Sequence, residues 1–271
     1  CTFGQGGYSR KILESAKCKV YAIDRDLNSN KYAKILSTKF NTRFNFSNTK
    51  FSDLHFFLNE KNIKAIDGIV LDLGVSNTQL NDPKRGFSFN HDGPLDMRMD
   101  NINTKLTAET IVNEYDEKEL SDIFFYYGEE RNSRKIANSI VEYRKKKKIG
   151  STKMLSDIVQ KINKYKFKHP ATRVFQALRI VINEELKELE EILKISLEIL
   201  TKNARIVIVA FHSLEDKIVK NFFKKNGYNN LNEDNNNALR IITKKPITPS
   251  LEEIKINPRS KSAKLRVAQK I

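Results

Sequence analysis

Asp24 and Asp72 each close a short apolar run, Lys19–Asp24 (KVYAID) and Ile66–Asp72 (IDGIVLD), and a glycine turn, Gly4-Gln5-Gly6-Gly7-Tyr8-Ser9, precedes the first. An acid at a strand end near such a turn can accept both hydroxyl hydrogens of a ribose. Glycine, lacking a side chain, lets backbone come close to a ligand. Two cofactor classes use this arrangement. A nicotinamide dinucleotide requires G-x-G-x-x-G, with its pyrophosphate on a helix N-terminus; here Gly4 and Gly6 are followed by Ser9 at the third glycine position. S-adenosylmethionine has no phosphates to cradle, so the looser spacing suits it. Gln79, a few residues beyond Asp72, can reach an adenine or an amino-acid group, and Phe51 either stacks on an adenine or fills the core.

These residues need elements to hold them. Ser9–Ala16 reads as a helix, Lys19–Asp24 as a buried strand, Asn30–Leu36 as a helix and Thr42–Phe46 as a weak strand. Phe51–Asn62 reads as a helix and Ile66–Leu73 as a strand. Alternation of this kind defines a doubly wound α/β sheet. After Asp100 four short helical patterns follow without a strand: Thr107–Val112, Glu117–Tyr127, Arg131–Lys147 and Thr152–Tyr165. Phe175, Leu178, Ile182, Leu186, Leu189, Leu193, Leu197 and Leu200 then recur every three or four residues, the stripe of one long helix with Glu184, Glu185, Glu188, Glu190 and Glu191 on its wetter faces. Arg205–Phe211 (RIVIVAF) reads as a buried parallel strand, followed by a helix, a low-complexity loop over Asn226–Asn237, and strands at Leu239–Thr243 and Leu265–Gln269 joined by a basic connector. The expected division is a Rossmann-like domain over 1–102 and 169–271, interrupted by a helical insertion over 103–168.

Between Leu71 and Asp100 (LDLGVSNTQLNDPKRGFSFNHDGPLDMRMD) no regular period is visible. A loop that long inside a domain is usually functional or disordered. Phe87, Phe89, Leu95, Met97 and Met99 interleave with its charges, which favours order. It is expected to lie at the carboxyl end of a strand, where open α/β sheets bind their ligands.

Composition narrows the partners. The 271 residues carry a net charge of +16, which favours a polyanion such as nucleic acid. No apolar run approaches the ~20 residues of a membrane span. Cys1 and Cys18 are the only cysteines, and the four histidines lack metal-ligand spacing, so neither a disulfide framework nor a metal site is expected. A reducing, cytoplasmic compartment fits. The chain opens at Cys1 directly on a glycine turn that a strand normally feeds, so further N-terminal sequence is expected.

GQGGYS, AIDRD, the Leu71–Asp100 stretch, GEERNSRKIA, KHPATRVFQALRIVINEEL, FHSLEDKIVKNFF and NPRSKSAKLRVAQK occur in order along the chain. Together they resemble the MraW/RsmH family, S-adenosylmethionine-dependent methyltransferases of cytosine N4 in 16S ribosomal RNA. The resemblance implies a class I methyltransferase fold, 16S rRNA as partner within the small ribosomal subunit, and cofactor contacts from Gly6, Gly7, Tyr8, Asp24, Phe51, Asp72 and Gln79. Tyr8 stands where the family usually has His, and Asn77 where it has a small hydroxyl residue.

Cytosine's exocyclic nitrogen is a poor nucleophile, because its lone pair is delocalised into the ring. Methylation requires alignment and acceptors for its hydrogens. Asp96 is the first such acceptor, with a pair to Arg98 as its competing role; His212 is the second, with capping of the next helix as its alternative. Arg131, Arg134, Lys135, Arg173, Arg259, Lys261 and Lys264 are expected to neutralise phosphates, and Tyr126 and Tyr127 either stack on a splayed base or pack inside the insertion. The competing functions are methyl transfer to another RNA or a DNA amine, and RNA binding without catalysis in ribosome assembly. The Asn/Asp-Pro-Pro-aromatic loop common in DNA-amine enzymes is replaced here by DLGVS.

Overall fold

The computed structural model describes residues 2–164, 169–228 and 238–271, and these divide into two compact units, one formed by 1–74 and 186–271, the other by 75–185.

The first unit is α/β. A helix, α1 (Gly7–Ser15), leads to β1 (Val20–Ile23); α2 (Ser29–Phe40) leads to β2 (Phe44–Ser47), which runs parallel to β1. A short helix, α3 (Leu54–Glu60), precedes β3 (Ile66–Asp72). The second helical unit supplies α4 (Asn77–Asn81), α5 (Ala108–Glu114), α6 (Glu117–Tyr126), α7 (Ser133–Arg144), α8 (Thr152–Ile162) and α9 (Thr172–Ile182). Then come α10 (Glu185–Ile199), β4 (Leu200–Ala210), α11 (Ser213–Lys225), β5 (Leu239–Ile241), α12 (Leu251–Ile256) and β6 (Lys264–Lys270). β3, β4, β6 and β5 form a mixed sheet in that order, with β3 and β4 parallel and β6 antiparallel to both its neighbours. Thr2 and Phe3 lie between the two sheets: Phe3 N donates to Ile23 O at 3.1 Å, and Asp72 N donates to Thr2 Oγ1 at 2.7 Å.

The near-continuous apolar run of β4 is explained by its central place, where Ile206 and Ile208 are almost wholly buried. Each such side chain contributes roughly 1.5–3 kcal/mol by leaving water. Around them pack Leu58, Leu71, Leu189, Ile192 and Phe223, while Phe3, Leu13, Leu36 and Phe44 form a smaller core beside β1 and β2.

Two expectations are corrected. The stripe read as one helix is two, α9 and α10, because Glu184 adopts a left-handed conformation with φ 49°. Asn183 ends α9 by bonding Met97 O, Met99 N and Arg179 O. Glu188 is buried rather than wet, held by Ser52 and Arg25. In the basic connector before β6, Ser250 accepts from Glu253 N to open α12, and a 3-10 turn follows over Pro258–Ser262. Most of the Asn226–Asn237 loop lies outside the described residues.

The helical unit is larger than the 103–168 segment read from sequence. Phe87, Leu95 and Met97 from the long loop are buried in the same core as Ile111, Phe124, Ile136, Leu155 and Leu178. The aperiodic stretch is therefore ordered because its apolar residues are core residues. It also contains α4, opened by a capping box in which Ser76 and Gln79 satisfy each other's backbone.

Candidate cofactor site

Within the α/β unit the glycine turn and the first strand-end acid form one structure. Gly4 N donates to Asp24 Oδ2 at 2.7 Å, and Asp26 N donates to Asp24 Oδ1 at 2.9 Å. The Ser29 side chain also bonds this carboxylate, so with two lone pairs on each oxygen one acceptor position remains. Burial is the largest influence on Asp24 and raises its pKa against the hydrogen bonds from Asp26 and Gly4. Gly6 precedes α1 with φ 80°, and a Cβ there would stand 2.8 Å from the Phe3 ring. No side chain satisfies both constraints. At Gly7, by contrast, a Cβ would meet nothing within 4 Å. Open space thus lies over the first turn of α1.

Asp72, at the end of β3, is a second perturbed acid. Its Oδ1 is buried without a hydrogen-bond partner, and its pKa is pushed up to about 6, chiefly by burial and then by the charge of Glu215. Burial, Asp72 and Glu253, in that order, also raise the Tyr8 hydroxyl, so Tyr8 and Asp72 share one electrostatic environment. Tyr8 itself is half exposed.

Glu215 was not singled out by sequence. It is buried in the first turn of α11, where Oε2 accepts from Phe211 N at 2.8 Å and His212 N at 3.3 Å. His212 Nδ1 in turn accepts from Glu215 N at 3.3 Å, completing a capping box. The helix-cap role of His212 is therefore realised. Its Nε2 lies 3.1 Å from Glu215 Oε1, but is buried without a well-formed hydrogen bond. The spacing His-x-x-Glu at a strand-to-helix turn was the available signal.

Phe51 packs partly buried against the main core. The following residue, Ser52, donates its N–H to Glu188 Oε2 at 3.0 Å and its hydroxyl to Oε1 at 3.2 Å. Arg25, adjacent to Asp24, lies 3.6 Å from the same carboxylate. Glu188 thus ties the segments carrying Asp24 and Phe51 to α10. Its buried position could not be read from helical period alone.

The helical unit holds the remaining site residues. Gln79 is buried, and its Oε1 accepts from Ser76 N at 2.8 Å, so half of its amide serves the cap of α4. Asp96 is clasped by Arg98 through Nε at 2.9 Å and a terminal nitrogen at 2.7 Å, and also accepts Arg98 N at 2.9 Å. Burial alone would raise Asp96; the Arg98 bonds and charge overcome this and hold its pKa below the ordinary value. Around it, Met97 N donates to Arg85 O, and the Arg85 guanidinium donates to Arg98 O and Met99 O. Met97 is fully buried with φ 61°, a strained conformation that persists only where packing over-determines it.

Among the cations, Arg131, Arg134 and Lys135 are exposed in the helical unit, and Arg173 is partly exposed there. In the α/β unit Arg259 and Lys261 are exposed, but Lys264 lies 3.2 Å from Asp216, which also binds Arg266. Lys264 is therefore matched to an internal acid rather than left for a phosphate.

A Rossmann-like α/β unit with a glycine turn and two strand-end acids fits a class I methyltransferase fold. The chain belongs to the MraW methylase family, whose family model matches residues 1–271. It is 50% identical to ribosomal RNA small subunit methyltransferase H of Wolbachia sp. subsp. Drosophila simulans (strain wRi), covering all of this chain and 91% of the relative. Its identity to the proteins of the same name from Rickettsia akari (strain Hartford) and Rickettsia canadensis (strain McKiel) is 51% and 50%, covering the whole chain and 91% and 90% of those relatives.

Proposed function

We propose that this chain transfers the methyl group of S-adenosylmethionine to the N4 amine of a cytidine in the decoding region of 16S rRNA, in the small ribosomal subunit of the cytoplasm. The observation that carries the reading is the buried, unpartnered Asp72 Oδ1 in the same unit as the Asp24-bound glycine turn, in a chain half identical to small-subunit rRNA methyltransferases.

The donor set fits that cofactor. Asp24 would take a ribose hydroxyl on its remaining acceptor position, with a second exchanging for Ser29, and the backbone at Gly6 and Gly7 would border the open space beside them. Asp72, anionic above about pH 6, would hold the amino group. Tyr8, Phe51 and Gln79 are assigned to the remaining cofactor surface. When bound, the cofactor supplies a methyl group already activated on a sulfonium, so the protein's part is alignment and removal of the amine's proton.

For Asp96 to accept that amine it must exchange Arg98, and for His212 to accept it must give up the α11 cap. Each exchange costs about 1–3 kcal/mol, small against the ~8 kcal/mol or more by which enzymes lower barriers. Arg131, Arg134, Lys135, Arg173, Arg259 and Lys261 are assigned to RNA phosphates, with Lys264 contributing less because Asp216 already matches it.

Methyl-labelled cofactor incubated with the chain and either small ribosomal subunits or naked rRNA, followed by nucleoside analysis, tests the proposal. Label is expected in N4-methylcytidine. Label in 5-methylcytidine, or on protein, overturns it.

A further inference from the structure

The helical unit displays three consecutive aromatic side chains to solvent at the end of α6. Phe125 is 54% exposed, Tyr126 63% and Tyr127 36%, while their neighbours Ile123 and Phe124 turn into the core. Three exposed rings wrapping one helical turn are costly to keep in water and signal a contact surface.

The display is rigid. Gly128, immediately after, approaches so closely that a Cβ would stand 2.6 Å from Arg173 O and 2.7 Å from Phe124 O. Gln176 donates to Tyr127 O at 3.2 Å, fastening the same turn to α9. Phe125 and Tyr126 meet edge to face, with centroids 5.2 Å apart and an interplanar angle of 83°.

Cations follow these rings within ten residues along the chain. The hydroxyls of Ser121 and Ser133 are 3.2 Å apart, which sets the start of α7 against α6 about one helical turn before the aromatics. Arg131, Arg134 and Lys135 occupy that start, all exposed. Cations in the first turn are unfavourable beside the positive end of a helix dipole. Asp122 and Glu129 are also exposed nearby, whereas Glu130 is buried, bonding Asn132 N and Asn163.

Resting on the RNA-substrate reading above, we propose that Phe125, Tyr126 and Tyr127 form a base-stacking platform for an unpaired stretch of the substrate RNA, whose phosphates lie on Arg131, Arg134 and Lys135. Rings give sequence-tolerant stacking on base faces, and flanking cations track the backbone; neither alone distinguishes a single strand from a duplex. A protein partner would use the rings but gain little from the three cations, since exposed ion pairs contribute little.

The chain contains no tryptophan, so Tyr126→Trp places a single reporter on the platform. Titration with a cytidylate oligonucleotide of about eight nucleotides, within the usual site size, is expected to quench that tryptophan, with affinity near that of the parent by anisotropy. A Phe125→Ala/Tyr126→Ala variant, checked for folding by thermal melt, is expected to bind the oligonucleotide about tenfold more weakly per lost stacked base, with an unchanged salt slope. Arg134→Ala/Lys135→Ala is expected to flatten that slope by roughly 0.7 per lost phosphate contact. Absence of quenching, or unchanged affinity in the aromatic variant while the parent binds RNA, overturns the platform and leaves methyl transfer untouched. A parent chain that neither binds nor methylates RNA overturns the reading on which it rests.

Discussion

Asp72→Asn is expected to make the free protein more stable and the cofactor weaker. In the free protein the carboxyl is raised from its ordinary 3.8 to about 6, by burial first and Glu215 second. At ~1.4 kcal/mol per tenfold change in proton affinity, that corresponds to about 3 kcal/mol of native-state destabilisation at neutral pH. Its sign follows from proton uptake. Between about pH 4 and 6 the folded chain holds a proton that the unfolded chain has lost, so stability falls as pH rises through this window and then levels. Asparagine keeps the shape and the Asp72 N–Thr2 Oγ1 bond while removing the charge. Thermal melts at pH 7 should rise by up to about 10 °C, from ~2–4 °C per kcal/mol in a domain of this size, and lose their slope between pH 4 and 6. Calorimetric titration with S-adenosylmethionine should show parent affinity about tenfold lower at pH 5 than at pH 7, because only about one Asp72 in ten is then ionised. The variant should bind weakly at both. The charged groups that couple to this site are Glu215 and, through Tyr8, Glu253. A variant melting at or below the parent at pH 7, or a parent whose affinity is flat between pH 5 and 7, would refute the reasoning.

The two glycines before α1 should separate by function. Gly6→Ala meets the Phe3 ring at a positive φ and should lower stability by about 1–3 kcal/mol, whereas Gly7→Ala should leave the melt unchanged and still weaken cofactor binding; equal melts for both would contradict the geometry. Asp24→Ala should weaken the cofactor at least tenfold in calorimetry, through lost ribose acceptors and release of Gly4 N–H, and unchanged affinity would remove Asp24 from the site. Glu188→Ala strips a buried partner from Ser52 and Arg25 and should cost about 2–4 kcal/mol in denaturant unfolding, while a change below about 0.5 kcal/mol would show that Glu188 does not secure those segments. Asp96→Asn should lower turnover on rRNA tenfold or more and alter cofactor affinity less than about twofold, since Asp96 clasps Arg98 in the helical unit; equal losses in both would make Asp96 structural.

The strand-end acids were legible because a buried parallel strand is apolar on both faces, so the first acid after the run stands out. Asp24 and Asp72 follow β1 and close β3 as that logic requires. The helix break at Glu184 was not legible, since a hydrophobic period of 3.6 passes through a left-handed residue when the apolar positions resume in phase. What breaks the helix is Asn183, whose partners Met97 and Met99 are distant in sequence. Glu188 was misread for a related reason. Charge on a helix face suggests water unless its partner is known, and here one partner, Ser52, lies on a different segment.

Local signatures fared differently at Gln79 and His212. Ser76-x-x-Gln79 and His212-x-x-Glu215 are both legible as helix starts from spacing alone; a ligand role is assigned to both Gln79 and His212, with the cap an explicit alternative only for His212. The two uses are compatible in Gln79, because the cap engages Oε1 and a side-chain amide has donors besides. They conflict in His212: while Nδ1 accepts from Glu215 N, a neutral imidazole carries its proton on Nε2 and can only donate there. A side chain that both caps and catalyses must therefore switch tautomer, whereas one that caps with a carbonyl oxygen needs no such switch. That asymmetry makes Gln79 the safer assignment to the cofactor and sets a specific demand on any mechanism that runs through His212.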